Sequence, residues 1–306
     1  MMHAVIDIGS NTMRMSVYQV SRENKITLMF NKKEFVGLAG YVDESNMLTR
    51  KGIEKTVIVL DEFKQILKSL RIRNVHAFAT ASLRNIENTR NAKDEIEKGS
   101  GLKIEVISGQ DEALYDYIGA TFHADFSDGL LIDIGGGSTE IAYLEHSRVL
   151  EAVSYPFGSL NMFTRNVSGN FPRKNEAKAI RDTVLSYIKE MREPYLRQQT
   201  GPLICGVGGT IRAACKLNND YFDFDRNNLT VSIKNIKRML KFFEKESRES
   251  ILKLVQIVPE RSHTILPGMI VLQTIANYFG CNEIRVSEFG VREGYLISNI
   301  LHLQEK

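Results

Sequence analysis

The sequence predicts an α/β protein made of two similar halves. Three observations predict it. The run Ala4-Val5-Ile6-Asp7-Ile8-Gly9-Ser10-Asn11-Thr12 returns as Leu130-Leu131-Ile132-Asp133-Ile134-Gly135-Gly136-Gly137-Ser138-Thr139. Each copy opens a series of three short apolar runs, and each series is followed by helical patterns alternating with strands. Matching order and a matching first hairpin argue for an internal duplication, with a ligand held between the halves.

The first half reads as strands near 3–8, 12–20 and 25–33. A helix over about 50–70 follows, because Ile53, Val57, Leu60, Phe63, Leu67 and Leu70 step by threes and fours and so share one face. Strand 75–79 leads to a helical region ending near Gly99 and Gly101, residues suited to a helix C-terminus. Strand 104–107 runs into a helix over about 111–122, and a short polar linker covers 124–128. The second half restarts with strands 129–134, 139–145 and 148–156. Helices are expected over 158–166, over 174–197 with a stop or bend near Pro194, and after strand 203–207 at Gly208-Gly209-Thr210. A helical stretch 233–254, a helix containing Pro267, strand 283–286 and a final helix 290–303 complete the pattern.

Composition narrows the class of function. With 306 residues, 43% of them hydrophobic and 25% charged, the chain is long enough for two domains with sizeable cores. A net charge of +3 announces no basic tail or stripe for a nucleic-acid duplex. Six histidines and three scattered cysteines show neither metal-ligand spacing nor a disulfide framework. Free thiols, no apolar run of membrane-spanning length and no leader-like N-terminus lead to the expectation of a cytoplasmic protein with no membrane partner.

The repeated motif carries the chemistry. A glycine-rich turn lets backbone N–H groups converge on an anion, and the carboxylate beside it can hold a divalent cation. Asp7 and Asp133 are therefore the candidate metal ligands. Gly9, Ser10, Asn11 and Thr12 form one candidate phosphate cradle, and Gly135, Gly136, Gly137, Ser138 and Thr139 the other. A plain hairpin turn would account for two glycines, not for three in a row followed by Ser-Thr. No Gly-Lys-Ser/Thr ending is present, so a P-loop is unsupported. Gly208, Gly209 and Thr210 open a helix, where an anion is favoured; a tight strand-to-helix turn explains them equally well. Glu140 follows the second cradle, as a metal ligand, a positioner of water, or a solvated strand residue. Arg14 and Arg84 can neutralise phosphate through a planar guanidinium, or stand as surface arginines. Taken alone, Glu112 is an acidic residue in the first turn of a helix, complementing its dipole.

These motifs together resemble the exopolyphosphatase and guanosine pentaphosphate phosphohydrolase (Ppx/GppA) family. The resemblance rests on 7–12 with Arg14, Ala79-Thr80-Ala81-Ser82-Leu83-Arg84, Ile107-Ser108-Gly109-Gln110-Asp111-Glu112-Ala113, and 133–140. It continues in Gly206-Val207-Gly208-Gly209-Thr210, Leu266-Pro267-Gly268, Val286-Ser287 and Val291-Arg292-Glu293-Gly294. It implies an α/β fold of two duplicated actin-like (ribonuclease H-like, ASKHA superfamily) domains with an interdomain cleft. The expected domains are 1–124 plus the C-terminal helix 290–306, and 125–289. The chain stops soon after the final helix, without the added C-terminal helical domains of long members, and resembles the short two-domain subtype.

The resemblance implies a Mg²⁺- or Mn²⁺-dependent phosphohydrolase that releases terminal orthophosphate from inorganic polyphosphate or pppGpp. It places the water-activating base at Glu112 and favours Arg84 as the phosphate neutraliser. Polyphosphate or guanosine penta/tetraphosphate is the expected partner, and a homodimer is compatible with it. Two other classes stand beside this one. An ATP-dependent kinase on the same fold would need an acceptor-activating aspartate and an adenosine pocket, and the motif around Glu112 points away from it. A non-catalytic sensor of (p)ppGpp or polyphosphate would bind without turnover.

Overall fold

The structure, a computed structural model, describes residues 1–122, 126–189 and 203–303. It divides into two compact units, Met1–Glu112 and Ala113–Lys306.

In the first unit, strands β1 (Met2–Ile8), β2 (Thr12–Val20), β3 (Ile26–Phe35), β4 (Asn74–Ala79) and β5 (Ile104–Val106) form one mixed sheet in the order β3-β2-β1-β4-β5. β1 pairs antiparallel with β2 and parallel with β4. Alternation divides the side chains between two faces. Ala4, Ile6 and Ile8 of β1 join Met13, Met15 and Val17 of β2 in a core with Leu60, Phe63 and Leu67 of helix Arg50–Ser69 and Ile96 of helix Thr89–Ser100. Asp7 and Arg14, directly opposed across the hairpin, therefore lie together on the other face. The expected helical region before Gly101 is two helices, Ala81–Arg84 and Thr89–Ser100, and Gly101 ends the second at φ 69°.

On that same second face the rings of His3 and His76 stack with centroids 5.8 Å apart. Nδ1 of His3 and Nε2 of His76 are buried without a hydrogen-bond partner. Burial pulls both imidazoles below the ordinary 6.5, helped by the N-terminal ammonium at His3 and by His3 at His76. The unfolded chain then binds more protons than the folded one as pH falls through 6.5. Stability should be full above that point and decline on acidification below it. A His3→Gln, His76→Gln variant should show a flatter Tm-against-pH curve between about pH 5 and 6.5; an unchanged slope would remove the pair as its source.

In the second unit, β6 (Gly129–Ile134), β7 (Thr139–Glu145), β8 (Arg148–Tyr155), β9 (Ile204–Val207), β10 (Thr230–Ser232) and β11 (Glu283–Val286) form a sheet in the order β10-β11-β9-β6-β7-β8. One face carries Leu130, Ile132, Ile134 and Ile141, packed against helices Lys174–Ile188, Gly208–Tyr221, Ile233–Phe243 and Ile265–Tyr278. The other carries Leu131, Ala142 and Val207 against Tyr117 and Ala120 of helix Gly109–Thr121. Both faces are covered, which explains why β6 reads as an unbroken apolar run.

Three expectations are corrected. The stretch 233–254 is two helices, Ile233–Phe243 and Arg248–Ile257, because Ser247 accepts from Ser250 N at 3.2 Å and caps the second. The final helix is Val291–Tyr295 continued by a wider turn, Leu296–Ile300. Strand β10 was not expected. Helix Gly109–Thr121 beyond Glu112 and the segment from Val291 onward both belong to the second compact unit. They meet in a backbone-to-backbone seam: a methyl at Gly119 would overlap Gly290 O, and one at Gly294 would overlap Tyr115 O. The stop or bend near Pro194, and the first two residues of the expected 124–128 linker, lie outside the described residues.

Candidate active site

The two Asp-Ile-Gly hairpins fold alike. Gly9 N donates to Thr12 O at 3.2 Å, and Gly135 N donates to Ser138 O at 2.9 Å. A Cβ at Gly9 would lie 2.9 Å from Thr12 O, so the first turn admits no side chain there. The shared register aligns Asp7 with Asp133 and Arg14 with Glu140. Here the copies diverge. Asp7 faces a guanidinium across its hairpin, and Asp133 faces a second carboxylate, Glu140, with Cβ atoms about 5 Å apart.

In the first unit the turn is fastened from behind. Asn11 O accepts from Val36 N at 3.2 Å and Gly37 N at 2.9 Å, Ser10 O accepts from Ala39 N at 3.1 Å, and Ser82 Oγ donates to Ile8 O. The N–H groups of Ser10 and Asn11 have no acceptor among the described residues. Nδ2 and Oδ1 of Asn11 are buried without partners, an arrangement that calls for a polar ligand. Thr12 stands at the start of β2, beside the same turn. Ser108 caps helix Gly109–Thr121 by accepting from Asp111 N at 3.0 Å, and this sets Glu112 in the first turn. Arg84, 28 residues earlier, donates from Nη1 to Glu112 Oε2 at 2.6 Å and to Ile107 O at 3.2 Å. Glu112 is only 7% exposed, so this ion pair is largely shielded from water.

In the second unit the glycine turn is held by its carbonyls. Ser159 N donates to Gly135 O at 2.8 Å, Leu160 N to Gly136 O at 2.9 Å, and Asn161 Nδ2 to Gly137 O at 2.9 Å. Gly158 makes this approach feasible, since a Cβ there would lie 2.7 Å from Gly135 O. With the carbonyls tied to the start of helix Ser159–Asn166, the N–H groups of Gly136, Gly137 and Ser138 have no acceptor among the described residues. That is the geometry of an anion cradle. Thr139 turns inward instead, its hydroxyl donating to Phe157 O at 2.6 Å.

Asp133 lies against the start of helix Gly208–Tyr221: a methyl at Gly208, whose φ is +79°, would overlap Asp133 Oδ1. Glu140 is 1% exposed and accepts from Ser154 Oγ at 2.7 Å. Asp133 and Glu140, on one face beside this cradle, fit the sparse carboxylate set that Mg²⁺ takes when phosphate oxygens and water complete its shell. Among the described residues no group of three or more His, Cys, Asp or Glu is arranged to hold a metal ion.

Several site residues carry no local signature in the sequence. The Arg261 guanidinium covers Gly209, and its Nη1 donates to Thr210 Oγ1 at 3.2 Å. Burial pulls Arg261 down to about 10, partly offset by Glu260. It thus stays cationic at neutral pH, beside the positive end of a helix dipole. Arg212 donates from Nη1 to Ser287 O at 3.0 Å and Glu288 O at 3.1 Å. Desolvation and then Arg292 lower its pKa, while Asp133, Glu293 and Asp116 raise it. Asp116, fully buried one turn beyond Glu112, belongs to this charge cluster. Clustered guanidinium groups at a helix start are stabilised by an incoming anion.

A family model described as the Ppx/GppA phosphatase family matches residues 16–303. The chain belongs to that family. A relative from Fusobacterium nucleatum, named bifunctional 3-dehydroquinate synthase/phosphatase, is 30% identical over 94% of this chain. The chain spans only 45% of that relative's length. Exopolyphosphatase 1 of Mycobacterium tuberculosis is 23% identical, with 97% of this chain and 87% of that protein covered. Among solved structures, the Aquifex aeolicus Ppx/GppA family member superposes with a TM-score of 0.78 at 26% identity, over 100% of this chain and 99% of that one. An exopolyphosphatase from Cytophaga hutchinsonii shares the fold with a TM-score of 0.85 at 21% identity, over 99% of each chain. The α/β fold seen here, with a repeated hairpin in each of two mixed sheets, is the fold of the Ppx/GppA family structures. Among the described residues no helix is long and apolar enough to cross a membrane.

Proposed function

We propose that the protein hydrolyses terminal phosphoanhydride bonds, releasing orthophosphate from inorganic polyphosphate, with guanosine pentaphosphate as the rival substrate of the same class. The observation that carries this reading is the second glycine turn. Its carbonyls are tied to helix Ser159–Asn166, its N–H groups are left to an anion, and a carboxylate pair stands beside it. Membership of the Ppx/GppA family and relatives named exopolyphosphatase support the same class.

In this reading Gly136, Gly137 and Ser138 donate to phosphate oxygens, and Ser10 and Asn11 do the same from the first hairpin. Asp133 and Glu140 would hold Mg²⁺ or Mn²⁺ at the second hairpin, and Asp7 is the corresponding carboxylate of the first. The ion, when bound, supplies charge neutralisation for the phosphate chain. Glu112 orients water for in-line attack and receives its proton. Arg84 fixes the Glu112 carboxylate and offsets developing charge, and Arg261 draws phosphate to the start of helix Gly208–Tyr221.

The test is orthophosphate release with Mg²⁺ from short polyphosphate, long polyphosphate, guanosine pentaphosphate and ATP. Release from one of the first three, with Asp133→Asn losing both rate and Mg²⁺ response, is the expected result. Tight binding without release would replace hydrolysis by sensing.

A further inference from the structure

On the outer side of the second unit's helical layer lies a cavity of about 330 Å³ that the hydrolytic reading leaves unused. Three helices wall it: Lys174–Ile188, Ile233–Phe243 and Ile265–Tyr278. Its floor is apolar, made by Ala177, Leu240, Phe243, Leu266 and Ile270. Its rim is cationic, with Arg181 on one side and Lys237 and Lys241, one turn apart, on the other. None of these three cations has an acidic partner among the described residues. Gln273 and Glu244 supply the remaining polar groups.

This volume falls in the range of small-molecule sites, and the lining combines an apolar slot with a few directed polar groups. Bare phosphate would gain nothing from Ala177 and Leu240, and a neutral hydrophobe would gain nothing from three unpaired cations. The chemistry that satisfies both is a flat ring system joined to two or more phosphates. We propose that this cavity is a second ligand site, binding a purine nucleoside di- or triphosphate. The ring lies on Leu240 and Ala177, Gln273 and Glu244 meet its polar edge, and Arg181, Lys237 and Lys241 bind the phosphates.

The position of the cavity gives binding there a consequence. Leu266, Ile270 and Gln273 follow one another at i, i+4 and i+7 and face the cavity. Gly268, on the opposite side of the same helix, is where a methyl would overlap Thr210 Cγ2 and lie 3.2 Å from Ser159 Cβ. Thr210 opens the helix behind Asp133, and Ser159 holds the Gly135 carbonyl. One helix therefore separates the cavity from the buttress of the phosphate cradle, and an occupant bracing it stiffens that buttress.

The inference goes beyond hydrolysis and is tested without turnover. Fluorescence anisotropy of N-methylanthraniloyl-ADP and -GDP is followed in EDTA, with hydrogen exchange measured on the same complexes. A Lys237→Glu, Lys241→Glu variant, altered at exposed positions, should bind about tenfold or more weakly. Asp133→Asn should bind like the parent, and exchange should slow over 158–161 and 208–211 on addition of ADP. Weakening by Asp133→Asn with none from the lysine pair would overturn the proposal, placing the nucleotide in the phosphate site. Inorganic tripolyphosphate displacing the probe as well as ADP does would overturn the nucleoside assignment.

Discussion

Exchanging Glu112 for glutamine is expected to lower orthophosphate release by about two to four orders of magnitude, the usual contribution of a positioned base. The exchange keeps the side chain's length and shape and removes only its charge and its capacity to take a proton. Arg84 Nη1 sits 2.6 Å from Glu112 Oε2 and can still donate to the amide oxygen, so the local fold should persist. Binding of polyphosphate should accordingly change little, and the loss should fall on kcat with KM nearly constant. A second substitution separates the two members of the pair. Arg84→Lys retains the positive charge but loses the rigid guanidinium whose Nη1 reaches both Glu112 and Ile107 O, so it should slow turnover less than Glu112→Gln. Turnover of Glu112→Gln near the parent's level would remove this carboxylate from the reaction.

Gly208→Ala should be the most damaging single methyl in the second unit's site. Its φ of +79° lies where an L-residue is strained by roughly 1–2 kcal/mol, and the added carbon would overlap Asp133 Oδ1. Relief requires the carboxylate to move, and a displacement of about 1 Å at a reacting centre can cost 10²-fold in rate. A fall in Tm should therefore accompany a loss of activity and a weaker Mg²⁺ response. Gly206→Ala supplies the contrast. Its methyl would meet Ile211 Cγ2 at 2.6 Å and Ile284 Cγ2 at 2.8 Å, apolar side chains away from the carboxylates. It should lower Tm while the folded fraction keeps its turnover. Equal activity losses in both variants would mean that Asp133 is not what Gly208 protects.

What the sequence discloses and what it withholds follow from how local each signal is. The two hairpins are legible because period-two alternation and a glycine turn are properties of adjacent residues. Asp7, Asp133 and the glycine cradles come with them. The Arg84–Glu112 pair bridges 28 residues across two other elements, and no spacing rule announces it. Arg212, Arg261 and Asp116 are ordinary charged residues along the chain and become a cluster only when helices Gly208–Tyr221 and Gly109–Thr121 are placed. The same holds for Ser159 and Asn161, whose part is to grip carbonyls more than 20 residues away. The break at 244–247 is hidden because the apolar pattern runs across it. Its cause is a serine cap preceded by Glu246 at φ 41°, which leaves no mark on periodicity.

The glycine seam between helix Gly109–Thr121 and the segment around Gly290–Gly294 carries a consequence of its own. A contact made of side chains can be loosened by degrees, one methylene at a time. Here the bearing surfaces are main-chain atoms of Tyr115 and Gly290 against glycine α-carbons, so no smaller residue is on offer and every larger one wedges the surfaces apart. Mutational drift at this joint is therefore all-or-none. The region can tolerate wide change around the seam and almost none within it, like a hinge pin whose clearance is set by a single diameter.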